Sequence, residues 1–590
     1  MPELPLEKLK GMVVTAADLT NISRQQAERD RDYYDGHQWT PQQRAALEAR
    51  KQPVITINRV QRKIDAMVGI EARSRVDPRA FPRTPQDEQA ADVATKALVY
   101  VEDVTRFDGK RSAAFENLLV EGYGGVEIVV EEKRGKLEIA VNRLRWEEIF
   151  YDPHSREKDF SDASYVGVIK WMTVDQAAEL YAEGYDEESV TLEELLETSL
   201  GDFGGGDTYE DRPLETHYRW GDKRLRRVRV AQMYYRRGGV WYLAAFTGGG
   251  VLMHMESPYL DEDGKTTCPI ILMTAYIDRE NRRYGMVRSM ISAQDEINAR
   301  RSKLLHQLNT RQTQAIRGVI SAEDVRREKG KPDAHFELDP LAVEGALAMG
   351  MRPFEFINNN DQVAGQFNLL TESKAEIDMM GPNASLLGEV QGQQSGRAIM
   401  AQQQAGLVEV APIYDSLRDW TLRCYRAMWN RIRQFWTDER WIRITDEMEA
   451  PQFLAVNVFR GMDPMTMQPI VENAVAEMDL DIIIDEAPDF VTLRHEQFEQ
   501  LSQMMQAGVP IPPEMLIETS NLRDKARIME QIKAAQEQQM QMQMAQMQNV
   551  QQLEGVKAQT EAEGRMARAR RDDAAAVKDT VDARLRAIGL

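Results

Sequence analysis

The chain has 590 residues, of which 74 are Lys or Arg and 95 are Asp or Glu, so its formal net charge is −21. A protein this acidic repels phosphate backbones at long range, which excludes a sequence-reading DNA binder that works by neutralising phosphates. The charge is still compatible with a protein that contacts DNA without binding it tightly. The length predicts about four domains or subdomains, enough to bury a substantial core.

The negative charge is concentrated in one window. Between Glu183 and Glu215 the sequence has twelve acids and a single base, which gives this window a net charge of −11. Three consecutive glycines at 204–206 predict a mobile acidic loop over 201–211. A phosphate-binding loop is not expected there, because no Lys-Ser/Thr pair follows and the neighbouring aspartates would repel an anion.

The two cysteines, Cys268 and Cys424, lie in apolar surroundings without the spacing of a zinc site. We expect both to be buried small hydrophobic residues in a reducing cytosol, and we expect no metal and no other cofactor. The N-terminus has no secretory signal pattern, and the longest uncharged run, from Val240 to Met255, is too short to span a bilayer. The sequence therefore predicts no membrane partner.

The first half of the chain predicts helices and strands in alternation, and so an α+β fold. Thr40 and Pro41 open a helix that runs through Arg50, and 53–58 predicts a short strand. Apolar residues from Val60 to Val68 then recur at helical spacing. Further helices are predicted at 87–103 and 110–121, and strands at 126–131, 136–142, 165–171, 226–236 and 240–246.

The region from Gly285 to Phe435 is the most informative part of the chain. A helix is predicted over 286–312, with apolar residues on one face and five cations off that face: Arg288, Arg300, Arg301, Lys303 and Arg311. Subtracting Asp295 and Glu296 leaves +3 on this helix. Two interpretations stay open, a solvated helix face or a face turned toward DNA or a neighbouring subunit.

A compact mixed insert follows over 314–356, with turns at 329–332 and at Asp339-Pro340, and a second helix is predicted over 361–380. The segment 381–396 is predicted as a polar loop whose only charge is Glu389. A long helix after this loop has an apolar face running from Val410 to Phe435, and Pro412 inside it predicts a bend.

Strands are predicted again at 441–445 and 480–484, and a helix at 492–506. Asp479, Asp481 and Asp485 alternate with apolar residues around the second strand. This pattern fits either a half-buried strand with an acidic face in solvent or a carboxylate cluster that holds Mg²⁺ for nuclease chemistry. The tail, dominated by Gln and Met over 536–552, predicts either a helix that orders only in an assembly or a disordered segment.

Motifs of known catalytic chemistry are absent from the sequence. No GxxxxGK[ST] loop, HExxH pair or Gly-x-Ser-x-Gly elbow occurs, and the seven histidines are scattered. No nucleophile has an adjacent base, so we expect no catalytic residue and no enzymatic activity.

Two sets of short motifs occur in order along the chain. The N-terminal set is YYDGHQW at 33–39, QP at 52–53, TIN at 56–58 and Gly69. The central set is YG at 284–285, QDEIN at 294–298 and SGRAI at 395–399. Together, over about 31–532, the chain resembles the portal protein, the head-to-tail connector of tailed double-stranded DNA bacteriophages, and most resembles the large portals of short-tailed phages.

The resemblance implies a mainly helical α+β portal fold that assembles into a ring of twelve subunits at one capsid vertex. Its parts would be an α/β wing (1–285 and 437–491), a first stem helix (286–312), a small α/β clip (313–360), a second stem helix (361–380), a tunnel loop (381–395), a long kinked helix (396–436), a helical crown (492–532) and a helical barrel or tail (533–590).

The resemblance also implies a function: a channel through which double-stranded DNA is packaged and ejected without sequence specificity. The stem cations and the tunnel-loop residues Asn383, Glu389, Gln391, Gln393 and Gln394 would line this channel. Expected partners are the terminase large subunit, the major capsid and scaffolding proteins and the tail adaptor proteins. The protein would be made in the host bacterial cytoplasm and reside in the virion, at the portal vertex of the capsid.

Two other functions stay open at this point. One is a Mg²⁺-dependent nuclease or packaging enzyme that uses Asp479, Asp481 and Asp485, and the other is a coiled-coil scaffold or adaptor that acts through its Gln/Met tail. The missing nucleotide-binding loop weighs against a motor.

Overall fold

A computed structural model of the chain describes most of the residues before 484 and a few short stretches after it. The described residues are 4–75, 78–82, 87–182, 191–200, 220–309, 312–328, 331, 333–357, 360–381, 396–445, 451–462, 469–478, 480–483, 501, 504–505, 557, 560–581 and 583–584. The predicted acidic loop at 201–211 and the Gln/Met tract at 536–552 lie outside them, as does most of the helix predicted at 492–506.

Helices make up much of the described chain. Their bounds are α1 Leu6–Asp35, α2 Pro41–Ala49, α3 Arg59–Arg73, α4 Glu88–Thr105, α5 Phe107–Val120, α6 Val174–Tyr181, α7 Leu192–Ser199, α8 Val287–Asn309, α9 Ala322–Glu328, α10 Pro340–Ala348, α11 Asn360–Met379 and α12 Gly396–Phe435.

The strands are short, as in an α+β protein with small sheets. Their bounds are β1 Arg79–Pro82, β2 Tyr123–Lys133, β3 Lys136–Arg143, β4 Ile149–Tyr151, β5 Tyr165–Thr173, β6 Gly221–Asp222, β7 Arg227–Arg237, β8 Val240–Phe246, β9 Val251–Glu256, β10 Ile270–Thr274, β11 Tyr276–Ile277, β12 Arg283–Tyr284, β13 Gln312–Ala315, β14 Phe354–Ile357, β15 Arg440–Thr445, β16 Pro451–Val456, β17 Val458–Met462, β18 Pro469–Glu472 and β19 Leu480–Ile483.

Two sheets organise the first half. One has the strand order β4-β5-β7-β8-β9, with β6 paired to β7, and the other has the order β10-β2-β3; all of these pairs are antiparallel. The remaining pairs, β1-β19, β11-β12, β13-β14, β15-β16 and β17-β18, form two-stranded sheets. The predicted hairpin of β2 and β3 is confirmed.

The larger sheet is covered by helices on both faces. Successive side chains of a strand point to opposite faces, so one strand contributes to the packing on both sides. In β7, Met233 and Tyr235 pack against residues of α1 such as Leu9 and Val13. Val228 and Val230, at alternate positions of β7, belong to a separate apolar cluster with α6 and α7. Residues at every second position of one strand therefore build two different cores.

The main core lies where α3, α4, α5 and α12 meet the β10-β2-β3 sheet. Trp420 and Trp429 of α12 and Trp436, just after it, are almost fully buried there, and the indole N–H of Trp420 donates to the carbonyl oxygen of Ile271 at 2.9 Å. The apolar face predicted for this helix is confirmed. α12 continues through Pro412, and the bend expected at this residue stays a prediction.

Both cysteines are free thiols. Cys424 is fully buried, as expected, whereas Cys268 is only half-buried and packs at the edge of a core cluster. Burial raises the pKa of the Cys268 thiol to about 12 and that of Cys424 further, so neither is a reactive thiolate near neutral pH.

The 30-residue helix α1 was not predicted from the sequence. Its buried face consists largely of small or polar residues, including Ala16, Thr20 and Ser23, so it lacks a strong apolar period. The helix ends at Gly36, whose left-handed conformation (φ 90°) fits the usual preference for glycine just beyond a helix.

Several predicted local structures were wrong in detail, including the end of the helix predicted over 286–312, since α8 ends at Asn309 and Gln312 begins β13. Residues 53–58 are extended but belong to no sheet of the described chain, because their backbone N–H groups bond to side chains rather than to a strand. Asp339-Pro340 is a helix start and not a turn: the Asp339 side chain accepts from the N–H of Leu341 and Pro340 is the first residue of α10. α5 begins at Phe107, three residues before the predicted start.

The chain divides into two compact units. The first comprises Met1–Ile444 and Gln452–Phe490, and the second comprises Thr445–Pro451 and Val491–Leu590. In the second unit, residues 560–581 are helical and exposed. The helical barrel or tail predicted over 533–590 stays a prediction.

Candidate functional site

The candidate site is the hairpin of α8 and α11 together with the insert between them. Arg300 of α8 bonds to Gln366 near the start of α11, whereas Gln294 of α8 and Asp378 near the end of α11 both bond to Arg59. The two helices therefore run antiparallel. Buried apolar residues join them: Ala293, Ile297 and Leu304 of α8 with Leu370 and Ile377 of α11.

One face of α8 is polar but buried. Gln294, Asn298 and Ser302 lie four residues apart and so share a face of the helix. This face binds the extended segment before α3: the N–H groups of Ile55, Ile57 and Arg59 donate to Ser302 Oγ, Asn298 Oδ1 and Gln294 Oε1 at 3.3, 2.9 and 3.1 Å.

The same side chains are also donors. Gln294 Nε2 donates to the carbonyl oxygen of Ile57 at 2.7 Å, and Asn298 Nδ2 donates to Gln38 Oε1 at 2.6 Å. The motifs at 33–39, 56–58 and 294–298 are thus in contact with one another. Sequence reasoning noted these motifs but assigned them no role, although polar residues at four-residue spacing on an amphipathic helix are a usable signal for a buried network.

The N-terminal end of α8 is fixed by α1 and α5. Tyr33 Oη donates to Asp295, and Arg29 lies 3.7 Å from the same carboxylate. The N–H of Met286 donates to the carbonyl oxygen of Leu119 at 2.7 Å. A Cβ atom on Gly285 would overlap that carbonyl oxygen, so only glycine permits this approach.

A buried acid lies at this end of the hairpin. Asp30 of α1 is 3% exposed, and burial raises its pKa to about 7 although Arg288 and Arg29 oppose the shift. Sequence reasoning missed Asp30, because its burial depends on the packing of α1.

The five predicted cations of the first helix differ in their surroundings. Arg288 lies 3.4 Å from Asp278 and stacks 4.8 Å from the centre of the Tyr284 ring. Arg300 forms an ion pair with Glu296, and its Nη1 donates to Gln366 at 3.1 Å. Arg301 and Lys303 are exposed, and Arg311 lies outside the described residues.

The insert between the helices has its own small core. Strands β13 and β14 pair from Gln312 opposite Ile357 to Ala315 opposite Phe354. The rings of Phe336, Phe354 and Phe356 lie within 5.5 Å of one another. Apolar side chains at its surface are strongly exposed: Leu341 (81%), Met349 (75%), Leu347 (61%) and Met351 (55%).

α11 is also largely exposed. Phe367 is 57% exposed and Met379 is 74% exposed, while the residues it buries, such as Leu370 and Ile377, form a narrow stripe against α8. A helix that buries so little of its apolar surface within its own chain leaves a face for another molecule.

The predicted polar loop lies outside the described residues. Asn383, Glu389, Gln391, Gln393 and Gln394 all fall in this gap between α11 and α12. Gly381, just before the gap, has a φ of 76°.

The carboxylates considered for metal binding are only partly described. Asp481 lies in β19, opposite Phe81 of β1, whereas Asp479 and Asp485 lie outside the described residues. Across the part of the chain that the structure describes, no group of three His, Cys, Asp or Glu is placed to hold a metal ion. Within that same part, no helix combines the length and apolar composition that a membrane crossing requires.

Comparison with known protein families gives a match over most of the chain. A family model described as "Phage P22-like portal protein" matches residues 10–572 of the chain. This match spans both helices of the hairpin, the insert and the long helix α12. No curated protein matches the chain.

Proposed function

The chain belongs to the phage P22-like portal protein family, and from this we infer that the α8–α11 hairpin and its insert form part of the wall of a DNA channel. As a portal protein it is a structural component of the capsid, a ring at one vertex through which DNA is packaged. The observation that carries the inference is the continuity of the family match across hairpin, insert and α12.

We assign the family's parts to the ranges predicted above: wing, stem, clip, tunnel loop, long helix, crown and tail. The stem is then α8 with α11, and the clip is the insert that contains α9, α10 and the β13-β14 pair. We further propose a ring of twelve subunits that serves DNA ejection as well as packaging. The protein would be made in the host cytoplasm and have no enzymatic activity, and nothing in the family match favours the nuclease or the coiled-coil scaffold.

The stem cations would have two roles. Arg288 and Arg300 are engaged within their own chain, by Asp278 and by Glu296 with Gln366. Arg301 and Lys303 are exposed on the hairpin, so we propose that these two face the DNA path. Each contact between a cation and a phosphate adds affinity for DNA and slows its sliding. Because the described hairpin has few exposed cations, a duplex passing along it would be bound only weakly.

The exposed apolar surface of α11 supports a contact between subunits. A ring that closes head to tail needs two different faces on each subunit. The surface around Phe367 and Met379 would be one of them, because burying these side chains in the ring removes apolar area from water.

The clip surface supports binding of other proteins. Leu341, Leu347, Met349 and Met351 are exposed apolar side chains of the kind that protein interfaces bury. We propose that the insert receives the terminase large subunit during packaging and tail adaptor proteins afterwards. The major capsid and scaffolding proteins would contact the wing.

Electron microscopy of the purified full chain tests the proposal. Rings with an axial hole are expected, and in a map of the ring the α8–α11 hairpin should surround that hole. A protein that stays monomeric at all concentrations would contradict the ring, and a ring whose hole is lined by other elements would contradict the assignment of the hairpin.

A further inference from the structure

The short helix α2 is almost entirely exposed. None of its nine residues is buried, although Thr40 caps it and Pro41 is its first residue. A helix of this length is marginal in water by itself, because the cost of forming its first turn is recovered only over a longer helix or by packing. α2 therefore presents a surface against which another molecule can pack.

This surface is basic, in contrast to the chain as a whole. Between Arg44 and Arg83 the sequence has ten bases and four acids, although the net charge of the whole chain is −21. Arg44, Arg50 and Lys51, within and just after α2, are exposed, and none of them forms an ion pair with another described residue. We call these three residues the basic surface of α2.

The exposed face of α11 has the opposite charge. Glu372, Glu376 and the exposed Met379 follow one another at spacings of four and three residues, so they share a face of the helix. Neither glutamate forms an ion pair with another residue of the described chain. Like charges one turn apart on a helix repel each other, so this face favours a basic partner.

α2 and α11 are attached to different sides of α8. The segment that follows α2 binds the polar face of α8 that contains Asn298, whereas α11 packs on the apolar stripe that contains Ile297. Consecutive residues of a helix point about 100° apart, so these two attachments face different directions. A ring that closes head to tail requires two different faces of this kind on each subunit.

The two surfaces also lie near the same level along α8. The indole N–H of Trp39, just before α2, donates to the carbonyl oxygen of Ile55, whose own N–H donates to Ser302. Two residues earlier on α8, Arg300 donates to Gln366 in the first half of α11. Copies related by rotation about the channel axis can therefore bring α2 and α11 together without a shift along that axis.

We propose that α2 is the second face of the ring contact, and that its basic surface packs against the exposed face of α11 in the next copy of the chain. Arg50 and Lys51 of one copy then face Glu372 and Glu376 of its neighbour. This inference rests on the proposed ring and adds the surface that meets α11. Double-stranded DNA is another anion that a basic helix attracts, but the acidic face of α11 on the same hairpin favours a second copy.

A charge-reversal experiment on the full chain tests this contact by sedimentation velocity. The α2 variant carries Arg50→Glu and Lys51→Glu, and the α11 variant carries Glu372→Lys and Glu376→Lys; all four residues are exposed. In either variant alone, like charges would face each other across the contact. Each should therefore need at least about tenfold more protein than wild type to form the same fraction of rings.

An equimolar mixture of the two variants should restore ring formation, because alternating copies then meet with opposite charges at every contact. Restoration by mixing requires that α2 of one copy meets α11 of another, so a purely structural role of these residues would not produce it. Lys133→Glu with Arg134→Glu is the control. It makes the same charge change at the exposed turn between β2 and β3, where Arg134 has a φ of 56° and Lys51 has one of 54°, and it should leave rings unchanged.

The inference is overturned if either variant alone forms rings as wild type does, or if the mixture forms no more rings than the separate variants. Unchanged rings together with a weaker affinity of the α2 variant for a DNA duplex would assign the basic surface to DNA. Wild-type protein that forms no rings would instead contradict the proposed function itself, and this inference with it.

Discussion

Asn298 of α8 accepts a hydrogen bond from the backbone N–H of Ile57 at 2.9 Å, although the two residues are 241 positions apart. The extended segment 53–58, which contains Ile57, lies along α8 and is hydrogen-bonded to side chains of α8 instead of to a neighbouring strand. The segment 53–58, which we assign to the wing, is thereby tied to the hairpin that we assign to the channel wall. Because the bonds come from three residues on one helix face, their loss is expected to be cooperative.

Replacing Asn298 with Ala should destabilise the protein by about 2–4 kcal/mol, because it leaves the buried Ile57 N–H without its acceptor and the buried Gln38 Oε1 without its donor. Chemical denaturation followed by tryptophan fluorescence measures this loss. Asn368→Ala, the same change at an exposed position of α11, is the control and should cost less than about 0.5 kcal/mol. Equal stability of the two variants would contradict a structural role for the buried face.

Gly285→Ala should destabilise the fold by more than about 3 kcal/mol or prevent folding, because the new Cβ would overlap the backbone of Leu119 and Val120. Thermal unfolding provides the measurement. Gly365→Ala, within α11 and with open space around the new atom, should instead be neutral or stabilise by up to about 1 kcal/mol. Unchanged stability of Gly285→Ala would show that the backbone between α5 and α8 can move enough to accommodate a methyl group.

The raised pKa of Asp30, about 7, predicts a specific dependence of stability on pH. The folded state holds this proton more tightly than the unfolded chain, whose aspartate pKa is about 3.9. The contribution is therefore fully present below about pH 4 and is lost as pH rises toward and through 7.

Asp30→Asn mimics the protonated acid and should remove this dependence. Relative to the variant, wild type should lose up to roughly 2 kcal/mol of unfolding free energy between pH 5 and pH 8. Paired denaturation curves at each pH measure the difference. A constant difference across this range would show that Asp30 is ionised in the folded protein throughout.

Phe367→Ser should reduce ring formation, because it removes an exposed aromatic group from the face of α11 that we assign to the neighbouring subunit. Sedimentation velocity gives the fraction of protein in rings. Leu341→Ser removes an exposed apolar group from the clip and should leave ring formation intact while weakening binding of the terminase. Normal rings from Phe367→Ser would exclude this face as the contact.

Arg301→Gln and Lys303→Gln, singly and together, should leave rings intact but alter DNA packaging, because these exposed cations are proposed to face DNA. Each lost phosphate contact should also reduce the slope of log affinity for DNA against log salt by about 1. Packaging assays and DNA titrations at several salt concentrations measure these effects. Rings that dissociate in the double variant would instead assign the two cations to contacts between subunits.

Local sequence signals predicted much of this fold. The capping pair Thr40 and Pro41, the β2-β3 hairpin and the apolar face of α12 were confirmed, as was that of α8 except for Leu308, which is exposed. Each of these signals depends on neighbours within one or two helical turns or across a short turn. The ion pair of Arg300 with Glu296 was within reach of the same reasoning, since residues four apart on a helix are neighbours.

What the sequence by itself determined is therefore the elements with strong local signals, the absence of the catalytic motifs considered and, through motif order, the resemblance to the portal family. Only the tertiary structure decided that 53–58 is held by side chains of α8, that Arg288 pairs with Asp278, and that α1 buries Asp30. The physical reason is that hydrophobic periodicity reports which face of an element is buried, whereas hydrogen-bond and charge partners depend on which distant segments the packing brings within about 3 Å.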